Sequence, residues 1–127
     1  MSGSQPSARV VLDRVGIGLA GLCAVHCLAT LVLLSGLGLS GHFLLAHEIH
    51  EVGLVAALGV AAIAIGWGFM RHGRLRPLLV ALIGLAFMGA ALVLGHSAQE
   101  AVLTIIGVTF VSIGHLLNLR EAGRCAF

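Results

Sequence analysis

Four uncharged apolar stretches of membrane-crossing length alternate with short polar segments along the chain. The first, 15–39, follows Asp13 and Arg14; the second, 52–70, ends at the basic segment Arg71-His72-Gly73-Arg74-Leu75-Arg76-Pro77. A third occupies 78–95, and a fourth, 101–119, leads into a polar end segment. At a rise of about 1.5 Å per residue, helical runs of this length cross a hydrocarbon core of about 30 Å. The period-two alternation of a membrane-spanning strand is absent. The pattern predicts an all-α membrane protein, a bundle of four antiparallel transmembrane helices with spans near residues 14–39, 44–71, 76–96 and 98–119. A single transmembrane domain, 12–120, then lies between a flexible N-terminal tail, 1–11, and a C-terminal tail, 121–127.

Turn chemistry punctuates the pattern. Asp13 is placed to cap or begin the first helix. Ser35-Gly36-Leu37-Gly38-Leu39-Ser40-Gly41 weakens a helix and suits a turn. Gly73 suits a helix C-cap and Pro77 the first turn of the next helix, so the basic segment reads as a tight loop. Ser97-Ala98-Gln99-Glu100 matches a capping box at the start of the fourth helix.

Composition agrees with burial in lipid. The 59% hydrophobic content, mean hydropathy of +1.11 and 9% charged residues exclude an ordinary soluble domain. Eighteen glycines among Leu, Ala and Val suit helices packed through small residues, and such faces also permit a homo-oligomer. The first apolar run is too long for a signal-peptide core, so no cleavable signal is expected.

Charge adds an orientation. All seven basic residues are arginines, and four spans put every one of them on the side that carries both termini and the 71–77 loop. Seven arginines against Asp13 and Glu121 give that side +5, whereas Glu48, Glu51 and Glu100 give the other −3. The positive-inside rule makes the arginine side, with both termini, cytoplasmic, in a multi-pass protein of the cell inner membrane. The opposite face is acidic and rich in histidine, which suits cation capture.

Candidate chemistry centres on Cys23-Ala24-Val25-His26-Cys27 in the first span. Spacings of three and four residues put Cys23, His26 and Cys27 on one helical face. Cys23 and Cys27 lie about 15 to 20 Å along the helix from Asp13, near the bilayer midplane. A lone cysteine there packs as a small hydrophobe, but an ionisable histidine at that depth is a functional hypothesis by default. Thiolates with imidazole select soft or borderline ions such as Hg(II), Cu(I) or Zn(II).

A second group lies on the acidic side: His47, His50 and Glu51 at the head of the second span, His42 just before it, and His96 and Glu100 on the facing turn. These are metal-ligand types at metal-ligand spacing, and they equally suit a hydrated helix start. His115, with Asn118 one turn on, suits either a ligand role or a helix–helix hydrogen bond within the fourth span. Cys125, beside Arg124, is a reactive thiol by its basic neighbour. His72 in the basic loop reads as a solvated surface residue. Three cysteines are too few for a disulfide framework.

The segment Leu12-Asp13-Arg14-Val15-Gly16-Ile17-Gly18 leading into Cys23-Ala24-Val25-His26-Cys27, the pair His47-Glu48 with His50, and His115-Leu116-Leu117-Asn118 together resemble the MerC family. That resemblance spans Leu12 to Arg124 and implies a small four-span inner-membrane protein linked to mercuric-ion uptake. It also implies that Cys23 and Cys27 are the paired cysteines that bind the ion during transfer. The family carries a cytoplasmic cysteine pair where this chain has Cys125 alone, and the outer histidine group is not part of its pattern. Zinc and copper therefore stay open beside mercury.

The expected function is a carrier or binding protein for a heavy-metal ion, Hg, Zn or Cu, and not an enzyme. His42, His47, His50, Glu51, His96 and Glu100 would collect the ion; Cys23, His26 and Cys27 would hold it at the midplane; His115 and Cys125 would lead it inward. The expected partners are the metal ion and the lipid bilayer, with no nucleic acid. Two alternatives come from other classes. One is a haem-binding electron carrier using histidines on different helices, for which His26 and His115 are one candidate pair. The other is a membrane metalloenzyme at the outer His/Glu group, although His47-Glu48-Ile49-His50 departs from HExxH spacing.

Overall fold

The structure is a computed structural model that describes residues 7–37, 47–94 and 98–125, apart from the side chains of residues 34, 37, 47 and 125. The chain forms four helices, α1 (Ala8–Leu37), α2 (His47–His72), α3 (Arg76–Leu94) and α4 (Ala98–Cys125), with no strand among the described residues. All four are long and apolar enough to cross a membrane. Large apolar side chains cover the outside of the bundle, including Leu22, Val25, Val32, Val52, Val55, Met70 and Val93. Such a surface suits lipid and would be costly in water.

The helices extend further than the expected spans at the polar end. α1 starts at Ala8, with Ser7 at the N-cap position, where its carbonyl accepts the Val11 amide at 3.2 Å. Nothing between Ala8 and Asp13 breaks a helix, so residues 8–11, expected in a flexible tail, are helical. Likewise α4 continues through residues 121–125. Asp13 is therefore no cap: it lies in the second turn of α1 and is fully buried. The expected turn at 35–41 begins later than predicted, because helix geometry persists to Leu37. Between α2 and α3, Gly73 does serve as the C-cap: its φ is 65° and its amide donates to the Phe69 carbonyl at 2.8 Å. Pro77 sits in the first turn of α3, where its missing donor costs nothing.

α4 is the helix around which the others assemble. Among the described residues it packs against all three, most extensively against α3, whereas α1 and α3 do not meet. Its inward face reads Glu100, Thr104, Gly107, Val108, Val111, Gly114, His115, Asn118 and Glu121, all buried at helical spacing. Polar side chains thus face the interior while leucine and isoleucine face lipid. Without a hydrophobic drive between helices in a bilayer, close packing and interhelical hydrogen bonds must hold such a bundle.

Both devices are present. Gly84 of α3 and Gly107 of α4 face each other so closely that a Cβ on either would collide with the other's carbonyl oxygen. Phe87 and Phe110 stack across the same pair of helices, ring centroids 6.0 Å apart. At the arginine-bearing end, a buried hydrogen-bonded array joins three helices. His115 Nδ1 donates to Asp13 Oδ1 at 2.7 Å, and Asn118 Nδ2 donates to Asp13 Oδ2 at 2.9 Å and to the Ala64 carbonyl at 3.1 Å. His72 Nδ1 accepts the Arg74 amide at 3.0 Å, so its Nε2 carries the proton and donates to Asn118 Oδ1 at 2.9 Å. Glu121 closes this end, with Arg74 at 3.6 Å and Arg124 at 3.5 Å. The start of α1, the end of α4 and the α2–α3 turn thus share one end of the bundle.

Candidate metal centre

Cys23 stands three and four residues before His26 and Cys27, and Thr30 four and three after them, so one stripe of α1 carries two thiols, an imidazole and a hydroxyl. The stripe faces the bundle: Cys27 is buried to 1% exposure, and Thr30 returns its hydroxyl to the His26 carbonyl at 2.8 Å. Opposite, His50 projects from the first turns of α2. Its Nε2 lies 3.6 Å from Cys27 Sγ, and its ring is 5.5 Å, centroid to centroid, from that of His26. One donor atom each from His26, Cys27 and His50 lies within 4.8 Å of the others. An ion placed among them would reach all three with small side-chain shifts.

A carboxylate supports the group from the third side. Glu100, near the start of α4, is buried to 4%, and its Oε1 lies 3.5 Å from His50 Nδ1. With the carboxylate beside Nδ1, the His50 ring turns its Nε2 toward Cys27. Metal-binding histidines are commonly oriented this way. The His26 Nε2 atom is likewise buried, and it makes no hydrogen bond. A thiol, two imidazoles and a buried carboxylate are ligand types that suit a soft or borderline cation at this position.

Cys23 lies one turn below Cys27, and both thiols are free. It is not one of the three mutually close donors. It borders a small void of about 10 Å³ shared with His50, Leu54, Met88, Leu92 and Thr104, and is thus a neighbour of the centre.

The two stations expected from sequence, an outer His/Glu collector and a midplane Cys/His site, are therefore not separate. His50 and Glu100, read as outer residues, meet His26 and Cys27, read as midplane residues. Cys27 is the twentieth of thirty residues in α1, His50 the fourth of α2 and Glu100 the third of α4, so the cluster lies toward the histidine-rich end rather than halfway along. The helical extension of α1 back to Ala8 accounts for the shift. Glu100 turns into the bundle rather than back onto a cap; Ser97, its expected capping partner, lies outside the described residues.

Of the other expected ligands, Glu51 is exposed and is not part of the cluster. His42 and His96 lie outside the described residues, as do the side chains of His47 and Cys125. His115 is at the opposite end, held by Asp13 and set against Gly16 of α1. Gly16 and His26 are ten residues apart, about 15 Å along a helix, so His26 and His115 cannot be axial ligands of one haem iron. His72 is half-buried and bonded to Asn118, not simply solvated. Sequence reasoning missed the partnership of Asp13, His72 and Asn118 altogether. Its signal was His115 and Asn118, two polar residues three apart inside an apolar span, each of which needed a buried partner.

Four membrane-length helices enclosing a cluster of thiol and imidazole donors define a small polytopic membrane protein equipped to hold a soft or borderline metal ion. The family described as MerC mercury resistance protein matches residues 13–120, most of the chain, and the protein belongs to that family. Its membership marks it as a membrane mercury-resistance or transport protein. Among curated proteins and among solved structures nothing matches it.

Proposed function

We propose that the protein is an inner-membrane carrier for mercuric ion that takes the ion from the acidic, histidine-rich face and delivers it toward the arginine-rich, cytoplasmic face. The observation that carries this reading is the approach of His26, Cys27 and His50 within 4.8 Å of one another inside a membrane-length bundle. Cys27 supplies the soft thiolate; His26 and His50 complete a low-coordinate shell; Glu100 fixes the His50 ring and balances charge. Cys23, one turn deeper, takes the ion by thiolate exchange, so that the ion is never released bare into hydrocarbon. Zn(II) and Cu(I) fit the same donor types, and the thiol pair favours the softer ions.

The orientation rests on the arginines, which all lie at the end where α1 begins and α4 ends, beside the α2–α3 turn. The test is uptake of Hg(II), Zn(II) and Cu by cells expressing the wild type, the Cys23→Ser/Cys27→Ser double variant and His50→Ala at equal membrane abundance. The carrier reading expects mercury uptake to fall to the level of cells lacking the protein in the double variant. Equal uptake by wild type and double variant contradicts it.

A further inference from the structure

Below the His26–Cys27–His50 cluster the bundle encloses a second space. A cavity of about 70 Å³ is lined by Cys23 at its upper end and His115 at its lower end, with Met88 of α3 and the small residues Gly16, Ala20 and Gly53 among its walls. Met88 is buried to 5% and also lines the small void that Cys23 shares with His50. The two spaces therefore have Cys23 and Met88 in common, and the larger one leads away from the cluster toward the arginine-bearing end.

His115 is prepared for more than a helix–helix bond. Its Nδ1 is committed to Asp13, which leaves Nε2 as the ring nitrogen available to a ligand. That atom is fully buried and has no hydrogen-bond partner. It lies against Gly16 at the cavity's rim, and a side chain on Gly16 would fill its place. Burying an acceptor without a partner is unfavourable, and native structures seldom leave one so without a reason. Asp13 is itself locked by Asn118, and Asn118 by His72 and the Ala64 carbonyl, so the tautomer is fixed by a chain of contacts across three helices. A carboxylate that holds one ring nitrogen while the other is left unpartnered at a cavity wall is an arrangement that orients metal-binding histidines. The same pairing occurs at the upper cluster with His50 and Glu100.

We infer that the cavity bounded by Cys23, Met88 and His115 is a second, inner station for a soft metal ion, with Cys23 as the ligand that hands the ion from the upper cluster into it. The inference rests on the carrier reading and narrows the substrate. A thioether is uncharged and soft, so it contributes to binding of Hg(II), Ag(I) or Cu(I) and offers little to Zn(II). From Cys23 to Gly16, the residue against which His115 rests, is seven residues, about 10 Å along α1. Met88 bridges that interval, giving an ion a thiolate, a thioether and an imidazole in succession.

The experiment counts ions bound per chain by the purified full-length protein in detergent. Mercuric chloride is the probe, with a competing small thiol to suppress weak sites. A Cys125→Ser background removes the remaining thiol. The parent is expected to bind two mercuric ions and one zinc ion. Met88→Leu nearly conserves volume and removes only the sulfur. It is expected to bind one mercuric ion and still one zinc.

Asp13→Asn keeps the hydrogen bonds to His115 and Asn118 but donates to His115 Nδ1, which moves the ring proton to Nε2 and removes the lone pair. It too is expected to bind one mercuric ion. A purely structural role for the array predicts that Asp13→Asn, which preserves the bonds, leaves the count at two. Retention of two ions by both Met88→Leu and Asp13→Asn overturns the inner station, as does a parent that binds one.

Should either variant unfold, ¹⁵N-histidine spectra of the parent decide. The second equivalent of mercury is expected to move the His115 Nε2 resonance, and an unmoved resonance overturns the proposal. Failure of the carrier reading itself is separate: it appears as a mercury count that His50→Ala does not lower.

Discussion

Asn118 is the residue whose removal is expected to cost the bundle most. Its side chain is fully buried and joins α4 to both α1 and α2 through Asp13 Oδ2, the Ala64 carbonyl and His72 Nε2. Asn118→Ala leaves a buried carboxylate oxygen, a carbonyl and an imidazole N–H without partners, and opens a niche above Gly68, against which the amide is packed. An orphaned buried polar group costs about 1–3 kcal/mol in proteins generally. For bonds between transmembrane helices the measured average is nearer about 0.6 kcal/mol, because chains unfolded in the membrane find other partners.

Three bonds, one of them to a carboxylate, place the loss at about 3 kcal/mol, roughly a hundredfold in the folded-to-unfolded ratio. The measurement is reversible unfolding in mixed detergent and SDS micelles, followed by the fluorescence of Trp67, the sole tryptophan, which lies on α2 beside Gly68. The control is Thr109→Ala, whose exposed hydroxyl bonds only the Ile105 carbonyl of its own helix at 2.7 Å, and which should change stability by less than about 0.5 kcal/mol. In a cycle with Asp13→Ala, the two losses should fall short of additivity by about 1 kcal/mol or more, since they remove the same bond. A loss below about 1 kcal/mol for Asn118→Ala, or full additivity, would refute the reasoning.

Gly107→Val, which drives a side chain into the Gly84 carbonyl and Met88, should destabilise the bundle by about 1–3 kcal/mol in the same unfolding assay. Gly89→Val has open space around it and should change stability by less than about 0.5 kcal/mol. Glu100→Gln removes the carboxylate that orients His50 and should weaken mercuric-ion binding about 10- to 100-fold, read by competition with a small thiol. Glu51→Gln, exposed and apart from the cluster, should leave the same affinity unchanged.

The four helices were legible because apolar length is a strong signal and because Gly73 and Pro77 have few uses other than ending one helix and starting the next. The helix ends were less so. Asp13 looked like a cap since charged residues in apolar sequence usually mark a boundary, and only the packing reveals that its charge is carried inside by His115 and Asn118. Cys27 and His26 were recognisable from the thiol and imidazole on one stripe, whereas their union with His50 was not. Spacing along a chain specifies which residues share a face; it does not specify the height at which two helices meet. The extension of α1 back to Ala8 moves Cys27 toward the histidine-rich end and brings it level with His50 and Glu100. Met88 is hidden for another reason: a methionine in an apolar span looks like core until it is seen to line a cavity between Cys23 and His115.

The most direct test of the account is X-ray absorption spectroscopy of the purified protein carrying one equivalent of mercuric ion. The account predicts a first shell of both sulfur and imidazole nitrogen in a parent carrying Asp13→Asn, which takes the His115 imidazole out of play, with the imidazole contribution lost when His26→Ala/His50→Ala is added. A shell without sulfur, or one that the double variant leaves unchanged, would contradict it.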